Sequence, residues 1–273
     1  MTVERATWVL LRGLARECEH WGEFPAVFRR EIAAQQPNVE LVLLDLPGNG
    51  PLFWQTSPSH VPGIVDACRA ELVRLGKSGP FHLLAMSLGA MVACDWAQRF
   101  PGEVSGSVLI NTSLRPYSPF YRRARPPGYW KLLASGLVRL NARWRESRVL
   151  ALTSRMTVER DSVIDTWVDL QRRHPVGVRN SLRQLVAAMR YRASRLRPAV
   201  PMLLLCSRAD AVVDWQCSQA LSRAWGVPLR MHTEAGHDLP LDDAPWVARA
   251  VSEWLSVRAM NATTPAAMRI ELA

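Results

Sequence analysis

The sequence predicts an α/β protein built on a doubly wound, mostly parallel sheet of six strands with helices on both faces. Short apolar runs recur along the 273 residues and alternate with segments of helical spacing. Those runs are apolar at nearly every position rather than at every second one, the pattern of strands buried on both faces. The alternation breaks once, over about 113–198, where apolar residues recur only at helical spacing. Right-handed crossovers turn the rest into a sheet with helices in two layers.

The elements follow in order. Thr7-Trp8-Val9-Leu10-Leu11 reads as the first strand, turned at Gly13. Phe24, Val27, Phe28 and Ile32 mark a helix over about 21–34. The run 39–46 is the second strand, ended by Pro47-Gly48-Asn49-Gly50. Ile64, Cys68, Leu72 and Leu75 mark the next helix, and Gly76 suits its stop. Phe81 to Ala85 is the third strand, followed at once by a helix over about 88–99. Val108-Leu109-Ile110 is the fourth. Val200 to Cys206 is the fifth, Leu229 to His232 the sixth, and Trp246 to Leu255 the closing helix. The expected layout is a core of 1–113 and 199–258, a helical lid of 114–198 inserted after the fourth strand, and a weakly patterned tail of 259–273.

The charge is concentrated in the insert. Arg115 to Arg197 holds 19 basic and 5 acidic residues, whereas the net charge of the whole chain is only +10. Such asymmetry points to an anionic partner on one face, beside the plainer reading of a solvated Arg-rich surface. No nucleic-acid-binding motif accompanies it, so no nucleic acid is expected. No apolar run is long enough to span a bilayer. The start, Met1-Thr2-Val3-Glu4-Arg5, lacks the charge pattern of a signal peptide, so a cytoplasmic protein is expected. Cys18, Cys68, Cys94, Cys206 and Cys217 are scattered and lack a CxxC pair, which argues against a disulfide framework or a metal site.

The chemistry lies at strand ends. The third strand runs into Ala85-Met86-Ser87-Leu88-Gly89 and then straight into a helix. A serine on such a strand–turn–helix junction is held in a strained conformation at the carboxyl edge of the sheet. The helix N-terminus leaves the Leu88 N–H free to donate to an oxyanion. A serine hydroxyl needs a base. Of six histidines, His82 and His232 fall within strands, and His237 falls in Ala235-Gly236-His237-Asp238, a loop after the last strand. The base needs a carboxylate to fix its tautomer. Asp210 follows the fifth strand, and Asp214, four residues on, suits a helix start. Ser87, Asp210 and His237 are therefore the candidate nucleophile, acid and base, with Asp214 structural.

Taken together, LLRGLA, LDLPGNG, LLAMSLGAMVA, SRADAVVD and EAGHDLPLDDAPWVARAVSEWL resemble the α/β-hydrolase superfamily over nearly the whole chain. Ser87-Asp210-His237 is also the chain order of that family's triad. The resemblance places a second oxyanion donor at the Leu14 N–H. Arg12 stands where relatives often carry His, and Ala85 where they carry the first glycine of the elbow. Relatives that dehalogenate or open epoxides carry Asp at the elbow, so Ser87 implies acyl chemistry on esters, thioesters, lactones or amides. The chain resembles most the small bacterial carboxylesterases with a helical lid, among them the methyl ester esterase acting on pimeloyl-acyl carrier protein. The implied partner is a small acyl ester or thioester, free or bound to an acidic carrier protein, with no cofactor. Acyl transfer and a catalytically quiet binding protein are the alternatives. Tyr117, Phe120, Tyr121, Trp130, Trp144 and Trp167 are candidate pocket aromatics, although packing between lid helices and sheet is the better account of most of them.

Overall fold

The computed structural model describes residues 6–125 and 141–263. Six parallel strands form one sheet in the order β2-β1-β3-β4-β5-β6. They are β1 (Thr7–Leu11), β2 (Glu40–Leu44), β3 (Phe81–Met86), β4 (Val104–Ile110), β5 (Met202–Ser207) and β6 (Leu229–His232). β1 pairs with β2 on one side and β3 on the other, so the winding direction reverses between β1 and β3. Such a switch point opens a crevice outside the carboxyl ends of the two strands, where ligands bind in open α/β sheets.

The strands are apolar throughout because both faces are covered. On one face, α1 (Phe24–Ile32) and α10 (Ala244–Thr263) bury Phe24, Phe28, Val247 and Val251 against Trp8, Leu10, Leu84 and Val108. On the other, α2 (Val61–Arg74), α3 (Leu88–Arg99) and α8 (Gln216–Trp225) bury Ile64, Leu72, Val92 and Leu221 against Val9, Leu11, Leu83 and Leu109. His82 stacks on Trp8, with ring centroids 4.7 Å apart. Burial, aided by the nearby Arg258 charge, lowers its pKa to about 4. It is a core aromatic, as its place within a strand implied.

Among the described residues, four helices lie between β4 and β5: α4 (Phe120–Arg123), α5 (Ala142–Thr153), α6 (Arg160–Arg173) and α7 (Val178–Arg190). Val163, Ile164, Trp167 and Val168 fall on α6 and join Leu150 in a small core of their own. The expected helical stripe at Leu133, Leu137 and Leu140 lies outside the described residues, as does Trp130. Between α8 and α10 the chain forms β6 and the single turn α9 (Leu239–Asp242).

Two boundaries differ from the sequence reading. β4 begins four residues before Val108, at Val104, because Gly106 and Ser107 interrupt its apolar run without ending its pairing with β3. The closing helix also continues past Leu255 to Thr263, into the expected tail of 259–273, of which 264–273 lie outside the described residues. Arg258 explains part of this: its guanidinium lies over Trp254 and donates to the Ser105 carbonyl, tying the added turns to the sheet. Among the described residues no helix is long and apolar enough to cross a membrane.

The switch point requires close backbone approach. A methyl group on Gly89 would come within 2.5 Å of the Arg12 carbonyl and 2.6 Å of the Leu11 carbonyl. Neither backbone can yield without moving β1 or α3. We expect Gly89→Ala to destabilise the fold by about 1–3 kcal/mol or more, as overpacking does. Urea denaturation of the two proteins would measure it.

Candidate active site

Ser87 occupies the junction between β3 and α3 with φ +54° and ψ −117°, a conformation that costs a non-glycine residue energy. Its backbone is fixed from both sides. The Ser87 N–H donates to the Ile110 carbonyl at 3.0 Å, and the Ser87 carbonyl accepts from Ala90 and Met91. Leu88 and Gly89 open the helix, so their N–H groups have no intrahelical acceptor. Ala85 is fully buried at the end of β3, and its methyl fits where a larger side chain would not. Gly13 lies directly over the serine: a methyl there would be 3.2 Å from Ser87 Cβ.

Asp210 and His237 meet across 27 residues of sequence. His237 Nδ1 lies 2.7 Å from Asp210 Oδ2, and both residues are buried. Asp210 Oδ1 accepts from the Val212 and Val213 amides at 2.7 and 2.9 Å, which orients the carboxylate. Arg125 donates to the Asp210 carbonyl at 2.7 Å. Burial works hardest on His237 and opposes its cation. The charge and hydrogen bond of Asp210, with the Asp238 charge, outweigh it and raise the imidazole pKa above its ordinary value. Asp214 accepts from the Gln216 N–H at 2.9 Å at the start of α8, the helix-start contact expected of it. His232 accepts the Glu234 and Ala235 amides on Nδ1, which is a structural use.

Several groups in the site had no partner assigned from sequence. Arg12 forms a bidentate ion pair with Asp238, the residue after His237, at 3.0 and 2.6 Å. Both side chains are at most 5% exposed. The Arg12 guanidinium also lies 4.7 Å from the Trp21 ring centroid. Asn111, at the end of β4, donates to the His237 carbonyl at 2.8 Å and to the Gly236 carbonyl at 3.3 Å. Asp242 accepts from the Gly236 N–H, the Arg155 and Met156 N–H groups and the Ser154 and Thr157 hydroxyls. Gln184 of α7 accepts from the Ala15 N–H and donates to Asn49, holding the loop that carries Leu14. The visible signal was only that polar residues stood at strand ends and in loops; their partners are remote in sequence.

Ser87, His237, Gly13, Leu14 and Leu88 line one cavity of about 1050 Å³. Of the candidate aromatics, Phe120 lines it. Tyr117 packs on Trp225 and bonds the Ser194 carbonyl, and Trp167 is buried beneath Arg16. Tyr121 and Trp144 are largely exposed and are absent from the described lining. Elsewhere, Glu17, Glu19 and His174 bring ligand atoms within 4.8 Å of one another. Glu17 engages His174, and Glu19 engages Arg173, so protein groups already occupy both carboxylates.

The Arg12–Asp238 pair carries an expectation for stability. Breaking a buried ion pair strands a charge and costs about 3–5 kcal/mol, whereas replacing both partners by apolar groups is often neutral. Asp238→Leu should lose that amount, and Arg12→Met combined with Asp238→Leu should recover most of it. Denaturant midpoints of the single and double variants measure the recovery.

Comparison with known proteins agrees with this architecture. The model of the alpha/beta hydrolase family matches residues 8–250. A Cronobacter turicensis protein named as a carbamate hydrolase, RutD, is 32% identical over 163 residues, 58% of this chain and 58% of that protein. The chain thus spans a little over half the length of that relative. Among solved structures, an enol-lactonase of Burkholderia xenovorans superposes with a TM-score of 0.72 at 14% identity, covering 93% of this chain and 92% of its own. A thermophilic esterase of Thermogutta terrifontis superposes with a TM-score of 0.69 at 19% identity, covering 92% and 89%. At such identities the structural likeness speaks to the fold alone. With the family model spanning almost the entire sheet and its crossovers, the chain belongs to the alpha/beta hydrolase family.

Proposed function

We propose that this protein is a serine hydrolase that cleaves carboxylic ester or thioester bonds through Ser87, His237 and Asp210. The single observation that carries the reading is the buried 2.7 Å contact of His237 Nδ1 with Asp210 beside a strained Ser87 in the same cavity. Asp210 holds the proton on Nδ1, which leaves Nε2 to take the Ser87 proton. Ser87 attacks the acyl carbon, and the Leu14 and Leu88 N–H groups receive the oxyanion. His237 then protonates the leaving group and later activates the water that releases the acyl-enzyme. No metal or cofactor enters these steps.

Residues 114–198 serve as a cap over the cavity, with 1–113 and 199–258 as the core. Support comes from Phe120, Val149, Leu152, Leu185 and Met189, which all face the same cavity as Ser87. The five unpaired cysteines suit a reducing, cytoplasmic compartment. A second reading follows from the name of the relatives: a carbamate presents the same acyl carbon to the same serine, so carbamates belong in the substrate panel.

A fluorophosphonate probe should label Ser87, and p-nitrophenyl esters of graded chain length should turn over. Ser87→Ala should abolish labelling and lower turnover by about a millionfold, the effect of losing a triad serine elsewhere. A Ser87→Ala protein that still hydrolyses these esters would overturn the assignment. A pH profile gives a second check. Only neutral His237 is a base, and its folded pKa is raised, so kcat/KM should fall on acidification through a midpoint above the 6.5 of an ordinary imidazole. Asp210→Asn removes the raising charge; it should move that limb to lower pH and cost about 10⁴-fold in kcat.

A further inference from the structure

The cavity has an uneven distribution of charge. Its described lining holds five arginines, Arg12, Arg16, Arg115, Arg123 and Arg192, and one carboxylate, Asp238. Arg12 is matched by Asp238, and Arg16 by Glu146 at 2.8 Å. Arg123 donates to the Ala188 carbonyl. Arg115 and Arg192 differ: both are exposed, and neither has an acidic partner among the described residues. The segment 126–140, which follows in the same insert, contains no Asp or Glu that could supply one. Their backbones are paired in a parallel bridge, with the Ala193 N–H donating to the Arg115 carbonyl at 2.7 Å. Two guanidinium-bearing residues are thus fixed side by side at the mouth, without a counter-charge among the described residues.

An apolar path leads to them. Leu185, Ala188 and Met189 line the cavity from one stripe of α7, and Arg192 continues that spacing just past the helix end. Met189 and Phe120 are 60% and 81% exposed although they line the cavity, the mark of apolar surface awaiting a ligand. Ser87, half-buried, lies at the floor. The one cavity thus joins Ser87, this apolar stripe and the two arginines.

We propose that Arg115 and Arg192 bind a terminal oxyanion, so that the substrate is an ester or thioester whose acyl chain ends in a negative charge. The proposal rests on the hydrolase reading above. Arginine suits the task because its planar fork matches an oxyanion with paired hydrogen bonds and stays charged at every working pH.

The test compares p-nitrophenyl octanoate with esters of matched length ending in a carboxylate or in a phosphate. The native enzyme should prefer an oxyanion-ended ester in kcat/KM, through KM, and added salt should erode the preference. The better of the two anions identifies the source of the charge. In the Arg115→Gln/Arg192→Gln variant the anionic-to-neutral ratio should drop by about 10- to 100-fold, the size of a charged hydrogen-bond contribution. A ratio cancels any loss of folded enzyme. Equal turnover of all three esters, or a ratio unmoved in the double variant, overturns the proposal and leaves the hydrolase reading intact. If no ester turns over, the hydrolase reading fails; calorimetric binding of octanedioate to the native and double-variant proteins then decides, with equal affinity counting against the proposal.

Discussion

The buried contact of His237 with Asp210 places a demand that much of this architecture meets. His237 lies in a loop without secondary structure, so its backbone cannot be fixed by a ladder or a helix, and its polar groups must find partners one by one. The ends of three strands supply them. Asp210, after β5, takes the ring; Asn111, after β4, takes the Gly236 and His237 carbonyls; Arg12, after β1, takes the Asp238 carboxylate. The insert supplies a fourth: the Asp238 N–H donates to the Thr153 carbonyl at 2.7 Å, at the end of α5. Asp242 closes the ring by collecting donors from Gly236 and from residues 154–157. The histidine loop and the root of the insert are thus one hydrogen-bonded body. Displacing α5 would disturb His237 directly.

The same network sorts the arginines. Near the reacting serine a bare guanidinium would oppose the histidine cation, and Arg12 does act in that direction on His237. Its pairing with Asp238 contains this effect, because the Asp238 charge acts the other way. The positive charge left over lies at the exposed mouth, where water screens it from the imidazole. One cavity therefore offers a neutralised floor and a basic rim. That arrangement lets an Arg-rich insert coexist with the role proposed for His237.

How much of this was legible in sequence depended on whether a partner's identity could be known from position. Ser87, Asp210 and His237 were readable because each stands just past an apolar strand, and in a parallel sheet every such end lies on one edge. Strand ends thus converted three sequence positions into one location. Arg12 was visible only as a departure from the family pattern. Its reason, Asp238, stands 226 residues away, and no periodicity links the two. Asn111 and Gln184 were silent for the same cause: a polar residue in a loop or on an amphipathic helix has many uses, and only the tertiary contact selects one. The bounds of β4 and α10 escaped for a different reason. Both continue through residues of poor pattern, Gly106 and Ser107 in one and 256–263 in the other, held by pairing and by Arg258 rather than by local preference.

The two departures from the family pattern at this site have different physical meanings. Ala85 for glycine is a substitution by the smallest side chain, absorbed by packing alone. Arg12 for histidine brings a charge into a buried site, which no local adjustment absorbs; it requires a carboxylate nearby. The carboxylate present belongs to the residue after His237, so the loop bearing Leu14 and the loop bearing His237 are cross-linked. A long side chain that closes such a cross-link fixes the distance between the backbone donor loop and the base. Arg12 thereby ties the loop bearing Leu14 and the loop bearing His237 to a single buried contact between β1 and the loop after β6.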